Sequence, residues 1–154
     1  MADARITGVE IRPLAVIADE RGAVLQMLRA DAPHFHRFGE IYFSLVNPGS
    51  VKAWHRHREM VLLYAVPQGR IRLVVYDDRD GSTTRGAVMD IETGQDSYTL
   101  ITIPPGTWSG FAGLSATPAL VANCATLPHD PNEIERRAAD DPAIPYVWKD
   151  AAGR

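Results

Sequence analysis

The chain has one cysteine, Cys124, among its 154 residues, so no disulfide within the chain can staple it. That suits a reducing compartment, and the expected location is the cytoplasm. A charge excess is also missing: 16 Lys and Arg stand against 19 Asp and Glu, a formal net charge of -3. A nucleic-acid partner calls for a basic face, and none is implied. No apolar run approaches the roughly 18 residues of a membrane span. The N-terminus, MADARITGVEI, has neither the basic start nor the apolar core of a secretion signal. What is present, 45% hydrophobic and 23% charged residues, is the composition of a soluble globular chain long enough for one core. No linker, repeat or low-complexity tract divides it, so residues 1–154 are expected to form a single domain.

Strand and turn signals dominate. RIRLVVYD (70–77) and YTLITI (98–103) are rich in β-branched and aromatic residues with partial alternation. EIYFSLV (40–46) and MVLLYAV (60–66) are nearly continuous apolar runs, as expected of strands buried on both faces. Turn punctuation recurs at Pro48-Gly49, Pro67-Gln68-Gly69, Asp80-Gly81-Ser82 and Pro104-Pro105-Gly106. Only residues 23–29 and 133–139 offer short helical stretches, the second reading as a solvated surface segment. YDDR (76–79) reads as a solvated strand end with an Asp–Arg surface pair. DDPAIPYVWK, near the C-terminus, combines prolines and aromatics and is expected to pack on the body of the fold. Short strands between frequent turns predict an all-β sandwich or barrel.

The chemistry concentrates in NPGSVKAWHRHREM (47–60). His55 and His57 stand two apart, so on a strand they share a face. Such a pair is half of a metal site, an acid–base site, or two hydrogen-bonded pocket residues. The spacing from Gly49 through His55 and His57 to Gly69, followed by IPPGTWSGF (103–111), resembles the two motifs of the cupin fold. That resemblance implies an antiparallel β-barrel of jelly-roll type with short peripheral helices. In metal-binding cupins these motifs also supply a carboxylate and a third histidine. The corresponding positions here are Leu62 and Ser109, and Glu59, which shares the parity of the histidines, is the remaining candidate ligand. A metal-dependent cupin therefore stands as an alternative; the leading expectation is no metal and no cofactor.

The run FGEIYFSLVNPGSVKAWHRH, with GRIRLVVYDDR, IPPGTWSGF and DDPAIPYVW, resembles the dTDP-4-dehydrorhamnose 3,5-epimerase family over residues 19–148. The resemblance implies a homodimer that exchanges N-terminal strands (about residues 5–30) and acts on nucleotide-linked 4-keto sugars without metal. A histidine base takes a proton next to the ketone, and a tyrosine on the opposite face returns one. Carried over by position, His55 is the base and His57 its partner. Arg21, in DERG, and Lys52, in KAWH, are the cations for the diphosphate. Strict alternation would put Lys52 on the face opposite His55, so a bulge or a mouth position is required there.

The departures from the family are specific. The proton-returning tyrosine falls at Asn123, which is no acid near neutral pH, and a second family tyrosine falls at about His129. A family lysine becomes Leu62, a histidine becomes Ser109, and the thymine-reading pair becomes roughly Glu40 and Tyr42. His129 and Tyr42 are the candidate acids. Trp108 is either a stacking platform for a ring or a core residue at the barrel end. The HRH pair also resembles that of cupin 3,4-ketoisomerases of nucleotide sugars, which keeps ketoisomerisation beside epimerisation. A non-catalytic small-molecule binder is the third class.

Overall fold

The computed structural model describes residues 5–149, and within them every regular element is a strand. One five-stranded antiparallel sheet runs β1 (Glu10–Pro13), β9 (Thr99–Ile103), β6 (Leu62–Gln68), β11 (Ala119–Ala125) and β4 (Glu40–Val46). The second runs β12 (Ile134–Arg136), β5 (Val51–His57), β10 (Trp108–Gly113), β7 (Arg70–Tyr76) and β8 (Val88–Gly94). A separate hairpin pairs β2 (Val16–Asp19) with β3 (Gly22–Leu25). The two sheets face each other as a jelly-roll barrel, in agreement with the all-β reading.

Alternation decides what each strand buries. On β6, Leu62, Tyr64 and Val66 join Ile71, Leu73, Val75 and Ile101 in the barrel interior. Leu63 and Ala65 point the other way, under Leu14, Leu25, Met27 and Leu28 of the N-terminal segment. The second sheet is covered in the same manner: Val74 and Ala112 pack with Trp54, Trp108, Ile144 and Trp148, so the C-terminal segment lies on its outer face. Trp54 also donates from its indole nitrogen to the carbonyl of Ala139, 3.1 Å away. Each fully buried Leu, Ile or Val is worth roughly 1.5–3 kcal/mol relative to exposure, so these covering segments add real stability.

Three expectations are corrected. The short helices do not form: residues 23–25 lie in β3 and 134–136 in β12, each paired with a neighbouring strand. Seven residues cannot hold an isolated helix, and strand pairing outcompetes the weak local preference. EIYFSLV is not buried on both faces. It is the edge strand β4, and Ile41, Phe43 and Leu45 are each more than half exposed. Asp77 is not solvated; it is fully buried and accepts hydrogen bonds from Arg79, Ser82 and Thr84.

The irregularity expected near Lys52 is a bulge in β5. Ser109 pairs with His55 and Phe111 with Lys52, so Ala53 and Trp54 together oppose Gly110. The Ala53–Trp54 peptide is cis. Gly110 is needed at this contact because a Cβ there would collide with Ala53. The extra residue brings Lys52 and His55 onto the same side of the sheet.

Candidate active site

Between the sheets lies a cavity of about 450 Å³. Lys52, His55 and His57 from β5, Phe111 from β10, and Ile134 and Arg136 from β12 form one wall. Glu40, Tyr42 and Ser44 from β4, Val121 and Asn123 from β11, and Tyr64 from β6 form the facing wall. Met60 and His129 complete the lining from loops.

His55 sits in the interior of its sheet, between Ser109 on β10 and Arg136 on β12. Burial, then the electrostatic influence of the neighbouring His57 ring and of Arg136, pushes its pKa down to about 3. The imidazole is therefore neutral at pH 7 and can accept a proton. Its Nε2 lies 3.4 Å from the Tyr64 hydroxyl. Burial, followed by the neighbouring Tyr42, raises the Tyr64 phenol well above its ordinary range, so Tyr64 stays protonated.

His57 has a different environment. Its Nδ1 is 2.5 Å from Glu133 Oε1. Glu133 Oε2 accepts the backbone N–H groups of Glu59 at 2.8 Å and Met60 at 2.7 Å. Burial pushes this carboxyl up, but the hydrogen bonds from His57, Glu59 and Met60 outweigh it and hold the carboxyl below its ordinary value. An ionised carboxylate only accepts, so Nδ1 of His57 carries the proton of that bond.

On the facing wall, Asn123 is fixed by its backbone surroundings. The Leu63 N–H donates to Asn123 Oδ1 at 3.1 Å, which leaves the amide Nδ2 to donate to the Tyr42 hydroxyl at 2.9 Å. Tyr42 thus accepts from Asn123 and keeps its own proton for another partner.

The remaining expected site residues separate into two groups. Lys52 lines the cavity and donates to Ser44 Oγ at 2.9 Å and the Leu45 carbonyl at 2.7 Å, tying one wall to the other. Glu40 accepts the His129 backbone N–H at 3.0 Å, so these two meet at one side of the cavity. Arg21 and Trp108 do not join them. Arg21 is in the β2–β3 turn, with an 85% exposed side chain paired to Asp19 of the same hairpin. Trp108 belongs to the outer cluster of the second sheet, with the guanidinium groups of Arg56 and Arg137 4.6 and 4.9 Å from its ring. Its place is in the core, which is the second of its two sequence readings.

As a metal centre the donor set is incomplete. Glu59 is exposed and lines a different hollow, with His36 and Thr126. No three His, Cys, Asp or Glu side chains converge among the described residues. The two histidines are instead committed to different partners, Tyr64 and Glu133.

Sequence reasoning missed Glu133, Arg136 and Tyr64. Glu133 and Arg136 were hidden in NEIERR, read as a solvated surface stretch. Only the pairing of β12 with β5 turns Arg136 and Glu133 towards the histidines. Tyr64 carried a usable signal: it shares the parity of Leu62, the position of the family's lysine, on an apolar strand.

Comparison with known proteins gives the family. The family model for dTDP-4-dehydrorhamnose 3,5-epimerase matches residues 3–153. A probable low-salt glycan biosynthesis epimerase, Agl13 of Haloferax volcanii, is 38% identical over 143 residues, covering 92% of this chain and 88% of its own length. The crystal structure of a dTDP sugar isomerase from Desulfovibrio desulfuricans G20 superposes with a TM-score of 0.91 at 49% identity, covering 93% of this chain and 92% of that one. RmlC of Legionella pneumophila, a dTDP-6-deoxy-D-glucose-3,5-epimerase in complex with dTDP-4-keto-L-rhamnose, gives a TM-score of 0.84 at 25% identity, covering 96% of this chain and 81% of that one. The fold, the length matched and the histidine-bearing cavity together place the chain in the dTDP-4-dehydrorhamnose 3,5-epimerase family.

Proposed function

We propose that the chain epimerises a nucleotide-linked 4-keto sugar at a carbon beside the ketone. The observation that carries this reading is the opposition of His55 and Tyr42 across one cavity, on facing sheets. Inversion requires a base on one face of the carbon and an acid on the other. His55, neutral at pH 7, takes the proton. Tyr42, whose hydroxyl is oriented by Asn123, returns one from the opposite side. The family's tyrosine falls at Asn123, and β4 pairs Tyr42 directly with that residue. The phenol is thereby delivered from the neighbouring strand. His129 is the weaker candidate because it sits exposed in a loop beside Glu40.

Lys52 and Arg136 are the cations this cavity offers to a diphosphate. A third, Arg21, is exposed in the β2–β3 turn outside this cavity's lining, and in the proposed dimer it would serve the cavity of a second copy. The working unit we propose is a homodimer. Val16, Ile17 and Val24 of the isolated hairpin and Ile41, Phe43 and Leu45 of β4 are each exposed, from 47% for Val16 to 63% for Leu45, and a partner would cover them. The buried, unpaired Cys124 is compatible with work in the cytoplasm.

The test is solvent-deuterium wash-in, followed by mass spectrometry and NMR, on a panel of 4-keto sugar nucleotides that includes dTDP-4-keto-L-rhamnose. The expected result is one deuterium at an inverted carbon next to the ketone of at least one substrate. Tight binding with no exchange on the whole panel would leave a binding protein, and migration of the keto group would make it a ketoisomerase.

A further inference from the structure

The two histidines share a wall and stand 5.6 Å apart, centroid to centroid, yet only one of them has a carboxylate. A base that takes a proton from carbon works best neutral. A group that stabilises the resulting enolate works best as a charged donor. From the geometry we infer that the Glu133–His57 pair is the enolate-stabilising element: Glu133 positions His57 as an imidazolium whose Nε2–H donates to the ketone oxygen.

This rests on the epimerase reading above and deepens it. Glu133 holds Nδ1 and is itself locked by the amides of Glu59 and Met60. Nε2 of His57 has no hydrogen-bond partner among the described residues, and His57 lines the cavity. The groups facing the cavity around it are His55, Arg136, Lys52, Tyr64, Tyr42, His129 and Glu40; Glu40 is engaged by His129, and Lys52 by Ser44 and the Leu45 carbonyl. Glu133 is the carboxylate in contact with His57. The family's active-site lysine falls at Leu62, which is buried in the barrel interior. A cation is therefore missing from one place, and a carboxylate-backed imidazole offers one at another.

The step balances as a proton transfer. The C–H bond beside the ketone breaks and its proton goes to His55. The electron pair forms the C=C bond of the enolate, and the charge moves to the former ketone oxygen. His57 donates a hydrogen bond to that oxygen and forms no covalent bond with it. Protonation from the Tyr42 side then restores the ketone.

The experiment uses the full chain with Glu133→Gln and, separately, His57→Gln. Deuterium wash-in on the panel above is read together with thermal melting and the ¹⁵N NMR of the His57 ring. The expected result is that wild-type His57 shows both ring nitrogens protonated at pH 7, and that Glu133→Gln abolishes this signature. Exchange at saturating substrate should fall about 30- to 100-fold in each variant, with KM changed less than about threefold, as for an interaction made in the transition state. His57→Gln keeps the Glu133 contacts to Glu59 and Met60, so it decides the matter if Glu133→Gln fails to fold. A neutral His57 in the wild type would overturn the inference. So would variants that melt earlier but exchange at the wild-type rate per folded molecule, since Glu133 would then be a structural clamp. Absence of exchange in the wild type on every substrate would instead defeat the epimerase reading itself.

Discussion

The two walls of the cavity are built to different standards. The histidine wall is internal to its sheet: β5 lies between β12 and β10, and the C-terminal segment covers the outer face. Its functional groups are held on several sides, as in the Glu133 bonds to His57 and to two amides. The hydroxyl wall ends in an edge strand. Tyr42 and Ser44 face the cavity from β4, but the alternate residues Ile41, Phe43 and Leu45 face outward and are more than half exposed among the described residues. One wall is covered on its outer face by the chain's own C-terminal segment, and the other presents an apolar outer face that the proposed homodimer would cover. A base must be placed accurately and kept neutral, which burial provides. The edge strand leaves Tyr42, the proposed acid, beside that outward apolar face.

The largest expected effect comes from the complete wall. His55→Gln should remove both turnover and deuterium wash-in, by about 10³-fold or more, because no other neutral base replaces it. Substrate affinity, measured by calorimetry, should change little. Tyr42→Phe attacks the opposite wall and should separate the two readouts. Inversion should fall by about 10²-fold, since general acid catalysis is typically worth 10²–10⁴. Wash-in on the His55 face should survive, as the first proton transfer remains possible. Equal loss of both signals in Tyr42→Phe would place acid and base on the same wall and break the comparison.

How much of this was legible in the sequence differs between the walls. An all-β sandwich or barrel was readable from strand length and turn spacing, and its jelly-roll type from the resemblance of the two motifs to the cupin fold. His55 and His57 stood out because they lie two apart on one strand, and Lys52 through the family resemblance; its parity against His55 called for a bulge or a mouth position, and β5 has the bulge. Tyr42 was readable only through comparison with the family, and its partner Asn123 is 81 residues away. Glu133, 76 residues from His57, gave no local signal. Hydropathy also misjudged β4, because an apolar run looks the same whether its outer face meets its own chain, as on β6, or is left open. Burial is a property of the assembled topology. A run of seven residues does not encode its position in the sheet order.

That open face supplies the next test. Paired substitutions Phe43→Asp and Leu45→Asp place charges on the outer side of β4 without touching the cavity-facing residues. Burying a charge in an apolar interface without a partner is strongly unfavourable, so the proposed homodimer should dissociate at micromolar concentration. Sedimentation or light scattering would show this. Turnover should drop about tenfold to thirtyfold, through loss of the Arg21 contribution and a looser edge strand, while the melting of the histidine wall changes less. If the wild type is already monomeric and the variant equally active, the edge wall is self-sufficient and the contrast between the walls disappears. Arg21→Ala in the intact dimer isolates the cation. It should weaken nucleotide-sugar binding by about tenfold, the size of a charge-assisted bond.

The smallest effect concerns the neutrality of His55 itself. Its folded pKa is pushed down to about 3, against an ordinary value of 6.5. Between those two values the unfolded chain binds a proton that the folded chain refuses. Stability from this group is therefore complete above the unfolded pKa and is lost progressively as pH falls towards the folded one. One pH unit below 6.5 the cost is at most about 1.4 kcal/mol. Urea unfolding of the wild type and of His55→Gln at pH 7.5 and pH 5.5 measures it. The wild type should lose more stability on acidification than the variant, by up to that amount, since every other titrating group is common to both. Glu133, whose carboxyl is held below its ordinary value, contributes in the same direction but lower on the pH scale, below its ordinary 4.5. It leaves the window from 7.5 to 5.5 to His55. Parallel curves for the two proteins would mean that His55 protonates freely in the folded state. The histidine wall would then be no better sealed than the hydroxyl wall opposite it.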